Sequence, residues 1–205
     1  MSAQILDTIE TTGVATMPAQ SLRSALTACL LSAEKGKMTT LPILAAVRLE
    51  RTGTSLTLTA TDRYRLTRVT ATVADGPDWS FTLTAADAAR VIALIPRKDA
   101  GPMDLTLEAT DGVLSVTDWG GSSVHLTEIE GEYPRVQSVI DQAGKDVEAV
   151  EEIAVNPRYL ADLAKMPGLG LAVKFQFHGA ARMVTATWTD EVSALQYLYL
   201  LMPCR

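Results

Sequence analysis

His125 and His178 are the chain's two histidines, far apart in sequence. Neither has a cysteine or carboxylate at a metal-ligand spacing, so structural roles are expected and no metal or other cofactor is predicted. No serine lies in a glycine elbow with histidine and aspartate partners. Gly168-Leu169-Gly170 lacks the strand-to-helix G-x-G-x-x-G pattern of a phosphate loop. Glu151-Glu152 reads as the solvated end of a linker rather than an acid/base pair. Trp79, Trp119 and Trp188 fall in strand-like segments and read as core rather than as platforms for stacked bases. What remains is a polar, arginine-rich corner in Leu56–Arg68 (LTLTATDRYRLTR). That is recognition chemistry, so the chain is expected not to be an enzyme.

Charge narrows the kind of recognition. There are 18 Lys and Arg against 24 Asp and Glu, a net charge of -6. This argues against coating nucleic acid with the whole surface, but is compatible with one locally basic face. Hydrophobic residues make up 47% of the chain, enough for a real core. No apolar run approaches the ~20 residues of a membrane span, and the first residues carry no secretory pattern. Cys29 and Cys204 do not make a disulfide framework, and a reducing, cytoplasmic location is expected.

The elements that position the corner follow from periodicity. Leu56, Leu58 and Ala60 alternate with Thr57, Thr59 and Thr61, as a half-buried strand requires. Tyr64, Leu66 and Val69 open a second strand. Before them, Gly13–Met17 reads as a strand and Pro18 as a first helical turn. The stripe Leu22, Ala25, Leu26, Cys29, Leu30, Ala33 reads as a helix ending near Gly36, and Pro42–Glu50 as a strand. After the linker Asp75-Gly76-Pro77-Asp78 the order returns. Trp79–Leu83 is a strand, and Thr84 with Asp87 makes an approximate capping box. Ala88, Val91, Ile92 and Ile95 form a helical stripe before Pro96. Strands are then expected from Met103 to Ala109, Val113 to Trp119 and Ser122 to Ile129, with a hairpin at Asp111-Gly112. Pro134–Glu151 reads as a connector. A third round begins with a strand at Ile153–Val155 and a helix capped by Asn156-Pro157. Its helix face is Leu160, Leu163 and Ala164. Val173, Phe175 and Phe177 then alternate, as do Val184, Ala186 and Trp188, and Val192–Met202 closes the chain.

The expected fold class is therefore α+β, with β-α-β-β-β units repeated and helices on one face of antiparallel sheets. Two units, about 13–73 and 78–133, make a domain over 1–133; residues 134–151 connect it to a third unit, half a domain, over 152–205. One helix on one small sheet buries too little apolar surface to stand alone. Two units can pair within the chain; the unpaired third predicts an oligomer.

At these residues the chain resembles the bacterial DNA polymerase III β subunits, the sliding clamps. Thr39–Val47 (TTLPILAAV) is similar to the T-L-P-I-L segment of that family, and Ala60–Leu66 (ATDRYRL) to its A-T-D-G-H-R-L. Gly131–Pro134 (GEYP), Asn156–Leu160 (NPRYL) and Tyr199–Arg205 (YLLMPCR) resemble further family segments in the same order. Departures accompany the match: Arg63-Tyr64 replaces Gly-His, the family's terminal Leu is absent after Arg205, and a first domain and one further unit of the family's three-domain pattern have no counterpart. The resemblance thus points to a shortened, phage-encoded or mobile-element relative with a DNA clamp fold.

The resemblance implies a processivity factor in DNA replication that encircles duplex DNA, independently of sequence, and tethers DNA polymerase. Family helices lining the ring carry basic residues toward phosphates. The matching candidates are Arg23, Lys35, Lys37, Arg90, Arg97, Lys98, Arg158 and Lys165. A hydrophobic groove that takes polymerase and clamp-loader peptides is implied at Thr61, Tyr64, Arg65, Leu66, Pro134, Val139, Leu200, Met202, Pro203 and Arg205. A homo-oligomeric ring is expected, of four chains if the family's twelve units are kept, or of three if the connector hides a degenerate fourth unit. The alternative is a clamp-derived inhibitory module that sequesters clamp-binding peptides, or caps a host clamp, without encircling DNA.

Overall fold

The computed structural model describes residues 13–35, 41–96, 103–143 and 147–204. The first strand, β1 (Gly13–Pro18), runs directly into helix α1 (Ala19–Ser32). Pro18 thus ends the strand, and the helix starts one residue later than expected. The α1 side chains turned inward are small or apolar: Leu22, Ala25, Leu26, Ala28 and Cys29 are each at most 1% exposed. Burial pushes the Cys29 thiol well above its ordinary range, which leaves it inert.

The expected strand at Pro42–Glu50 divides. Proline has no N–H for a sheet ladder, so Pro42–Leu44 forms a 3-10 turn in which Ala45 N–H donates to the Pro42 carbonyl at 2.9 Å. Strand β2 (Ala46–Thr52) follows, then β3 (Ser55–Thr61), β4 (Arg65–Thr72) and β5 (Trp79–Thr84). Helix α2 (Ala85–Leu94) is capped as predicted: Asp87 N–H donates to Thr84 Oγ1 at 3.0 Å, and Thr84 Oγ1 donates to Asp87 Oδ2 at 2.8 Å. Strands β6 (Asp104–Thr110), β7 (Val113–Asp118) and β8 (Ser123–Thr127) form a meander. Its first turn needs left-handed backbone at both Asp111 (φ 47°) and Gly112 (φ 74°), which this dipeptide tolerates.

The connector holds a short helix of its own, α3 (Gln137–Ala143). Helix α4 (Pro157–Leu163) is capped by Asn156, whose Oδ1 accepts from Arg158 N–H at 3.0 Å. Strands β9 (Lys174–Phe177), β10 (Val184–Thr189) and β11 (Gln196–Leu201) complete the chain. Residues 152–156, expected to include a strand at Ile153–Val155, carry no ladder pairing. A strand needs a neighbour, and no described segment of this chain supplies one there.

All pairings are antiparallel. A four-stranded sheet has the order β1-β6-β7-β8, and a seven-stranded sheet the order β5-β2-β3-β4-β11-β10-β9. The first strand of each early unit has crossed to the sheet of the other: β1 pairs with β6, and β5 pairs with β2. Helices α1 and α2 lie against each other, and one continuous core joins them to both sheets. Burying a leucine such as Leu22 or Leu58 there stabilises by roughly 2 kcal/mol. Arg51, 2% exposed, ties β1 to the larger sheet through the carbonyls of Val14, Gly53 and Ala74. Among the described residues no helix is long and apolar enough to cross a membrane.

Candidate functional site

The corner between β3 and β4 is built by side chains bonding to their own backbone. Asp62 Oδ1 accepts from the N–H groups of Tyr64 (3.1 Å) and Arg65 (3.0 Å). Thr61 Oγ1 donates to the Arg65 carbonyl at 2.7 Å and accepts from Arg63 N–H at 3.1 Å. The turn forces Arg63 to φ 76°, a left-handed conformation that strains a residue with a Cβ. It is the position at which the resembled motif carries glycine.

Arg65 does not present its charge to solvent. It is 5% exposed, with Nε 2.9 Å from Asp62 Oδ2 and Nη1 2.7 Å from Asp162 Oδ2 on α4. Its guanidinium also lies 4.5 Å from the ring centroid of Tyr159, a cation–π contact. Burial opposes the Arg65 charge, but the hydrogen bond to Asp162 and the field of Asp62 more than offset it, so its pKa rises. Burial likewise opposes charge on Asp162; hydrogen bonds from Arg65 and Lys165, with the nearby Lys35, win and hold its carboxyl down at about 2. The Tyr199 hydroxyl donates to the Tyr159 carbonyl at 3.0 Å. Arg65 therefore pins α4 to β4, which the β4–β11 ladder already joins to the third unit.

Beside this pin the structure gathers four segments distant in sequence. Leu66 of β4, Leu200 of β11, Met183 and Ala143 form a buried apolar cluster, and Val136, Val139 and Ile140 pack on it half-buried. Thr61, Arg65, Leu66 and Leu200 are each at most 5% exposed, so they form the floor and wall, not the surface. The exposed members are Tyr64 (58%) and Met202 (36%). They are coupled, because Met202 N–H donates to the Tyr64 carbonyl at 2.8 Å and extends the β4–β11 ladder past its end. Pro134 and Pro203 are half-buried; Arg205 lies outside the described residues.

The basic candidates do not form one patch of unpaired charge. Arg23 Nη1 donates to the carbonyls of Ile92 (2.6 Å) and Ile95 (2.7 Å), which closes the end of α2. Lys35 and Lys165 both face Asp162, at 3.6 and 2.9 Å. Arg90 is exposed and 2.8 Å from Asp87, and Arg158 is exposed at the start of α4. Lys37, Arg97 and Lys98 lie outside the described residues. Among the described residues no group of three or more His, Cys, Asp or Glu could hold a metal ion. His178 is 2% exposed with Nε2 3.2 Å from Thr185 Oγ1, and His125 lies on β8 with Nδ1 2.8 Å from Ser115 Oγ.

Sequence reasoning missed Asp62, Asp162, Tyr159 and Met183. The spacing of Tyr159 and Asp162, one helical turn apart, was a usable signal that both face the same neighbour.

Comparison with known proteins places the fold. No protein-family model matches the chain. It is 28% identical over 159 residues to the beta sliding clamp of Micrococcus luteus, an overlap of 76% of this chain and 50% of that protein. In structure it is similar to the DNA polymerase sliding clamp of Bacillus subtilis, with a TM-score of 0.74 at 14% identity over 100% of this chain and 66% of that one. It is also similar to the DNA polymerase III beta subunit of Thermotoga maritima, with a TM-score of 0.76 at 15% identity over 100% of this chain and 70% of that one. The fold is that of the sliding clamps, and the chain spans about half the length of the curated relative that it matches.

Proposed function

We propose that this chain, which has the sliding-clamp fold, is a non-enzymatic processivity factor. Several copies would encircle duplex DNA in the cytoplasm and tether DNA polymerase through the apolar site around Tyr64, Leu66, Val139, Leu200 and Met202. Clamp-loader peptides would use the same site. The observation that carries this reading is the convergence of Leu66, Val136, Val139, Ile140 and Leu200 on one apolar cluster, with the exposed Tyr64 and Met202, two residues from Leu66 and Leu200, bonded to each other through their backbones. Flexible apolar side chains such as Met202 and Met183 suit a surface that accepts several peptides.

Among the described basic candidates most have a partner, and this favours topology over affinity. Each phosphate contact is sequence-independent and is weakened by salt. A ring holds DNA without strong contacts, because escape requires it to open.

The test is fluorescence anisotropy with a short labelled peptide that carries leucine and phenylalanine anchors. Tyr64→Ala and Met202→Ala should each weaken binding by about tenfold, the loss of about 1.4 kcal/mol expected of a central apolar contact. Both side chains are exposed, so folding should be unaffected. Unchanged affinity in both variants would refute the site.

A further inference from the structure

We infer that the third unit is completed by the third unit of a second copy of this chain, through reciprocal exchange of residues 153–156 onto strand β9. This gives the oligomeric part of the clamp reading a specific contact, and it rests on the strand pairing within one chain.

The first two units show the rule. In each, the strand before the helix pairs with the first strand after the helix of the other unit, β1 with β6 and β5 with β2. The register is the same in both. The residue just before the helix pairs with the first residue of the receiving strand: Pro18 with Asp104, and Thr84 with Ala46. In both, the first helical residue donates its N–H to the residue before the receiving strand, Ala19 to the Met103 carbonyl at 2.8 Å and Ala85 to the Ala45 carbonyl at 2.9 Å.

The third unit has both halves of this exchange, and among the described residues neither is paired in a ladder on its open side. Residues 152–156 lead into α4 without a ladder, and β9 is the edge of its sheet with β10 on one side only. Applying the same rule pairs Asn156 with Lys174, Val155 with Phe175, Ala154 with Gln176 and Ile153 with Phe177. Two apolar cross-strand pairs then fall on one face, Val155 with Phe175 and Ile153 with Phe177, where such pairs stabilise a sheet. Phe175 is 39% exposed in the single chain, as is Leu160 on the neighbouring helix.

Two hydrogen bonds hold these edges in the single chain. Glu148 N–H donates to the Phe177 carbonyl at 2.9 Å, and Cys204 N–H donates to the Ala154 carbonyl at 2.8 Å. The first shows that the Phe177 carbonyl points away from β10, and alternation turns the Phe175 backbone groups to the same side. These are the groups that the copied register needs, with Val155 N–H directed at Phe175. Exchange trades the Glu148 bond for a ladder, while the Ala154 carbonyl, in a non-hydrogen-bonded pair, stays turned toward Cys204, and the twofold relation satisfies both copies at once. Pro157 has no N–H, so the bond made by Ala19 and Ala85 is absent from this third exchange.

The experiment is disulfide trapping of the full chain in a Cys204→Ser background. Ala154 and Gln176 are both exposed, and the copied register makes them a non-hydrogen-bonded pair, whose Cβ atoms lie close enough for a disulfide. Ala154→Cys and Gln176→Cys chains, mixed one to one and mildly oxidised, should give a cross-linked dimer. Either variant alone should give none at that position. Sedimentation of the unmodified chain should show at least twice the chain mass. Val155→Pro, which removes the N–H aimed at Phe175, should weaken self-association on the order of tenfold or more. Cross-linking in the single variants to the same extent as in the mixture, a monomer at all concentrations, or unchanged self-association of Val155→Pro would each overturn the inference. None of these measurements uses DNA or peptide, so a failed exchange and a failed clamp reading are told apart.

Discussion

Asp162→Asn is the substitution whose effect the structure states most fully. Asp162 is the α4 side of the pair that fastens α4 to β4, and it accepts from Arg65 Nη1 at 2.7 Å and from Lys165 Nζ at 2.9 Å. Arg65 is 5% exposed and would keep only Asp62 as a carboxylate partner. A charge-assisted hydrogen bond of this kind contributes about 1.5–3 kcal/mol. Linkage gives a second route to the magnitude. The Asp162 pKa falls from 3.8 to about 2, which at 1.36 kcal/mol per unit is about 2 kcal/mol, and solvent screening by the exposed lysines brings this toward about 1–2 kcal/mol. The folded-state pKa is depressed, so the contribution is present above the unfolded value near 4 and is lost as pH falls toward 2. Urea unfolding followed by tryptophan fluorescence, with Trp188 in β10 as reporter of the third unit, should show the variant less stable by about 1–2 kcal/mol at pH 7. The gap should shrink to roughly half by pH 3 and nearly close by pH 2. A gap below about 0.5 kcal/mol at pH 7, or one of unchanged size at pH 3, would refute the reasoning.

Three further outcomes follow from the same geometry. Arg63→Gly should leave stability equal or raised by up to about 1 kcal/mol, whereas Arg63→Val should lower it by about 1–2 kcal/mol, because only the first relieves the left-handed strain; thermal unfolding decides, and the reverse order would contradict the turn geometry. Leu66→Ala should cost about 2–4 kcal/mol through the cavity left between Leu200 and Met183, so any loss of peptide binding in that variant must be judged beside its unfolding curve; a cost under about 1 kcal/mol would mean the cluster is not packed. Reversing Arg90 and Arg158 to Glu should lower DNA affinity most at low salt and least at high salt. An equal loss at all salt concentrations, by filter binding, would exclude phosphate contact.

The repeat was legible because alternation and helical stripes report local burial. Thr84 and Asn156 fall where their side chains cap α2 and α4, and Asp111-Gly112 turns the hairpin. The failures share one physical cause, since each depended on a partner that one segment cannot reveal. Pro42, whose missing N–H is visible in the sequence, is the exception; Ile153–Val155 alternates correctly, yet no described segment forms a ladder with it. The crossing of β1 and β5 between units is a tertiary choice invisible in either strand. In the candidate site the apolar members Leu66, Val139 and Leu200 do come together. Arg65, expected in the peptide groove, is instead neutralised by Asp62, three residues before it, and by Asp162 on α4. Arg23 was legible as basic but not as the group that closes α2, because a backbone carbonyl leaves no mark in sequence.

The central claim is that copies of this chain hold DNA by surrounding it. The direct measurement loads the protein on a nicked circular plasmid, isolates the complex by gel filtration at high salt, and linearises half of it. Topological holding predicts retention on the circle and loss from the linear form. Equal loss from both forms, or equal retention on both, would contradict it.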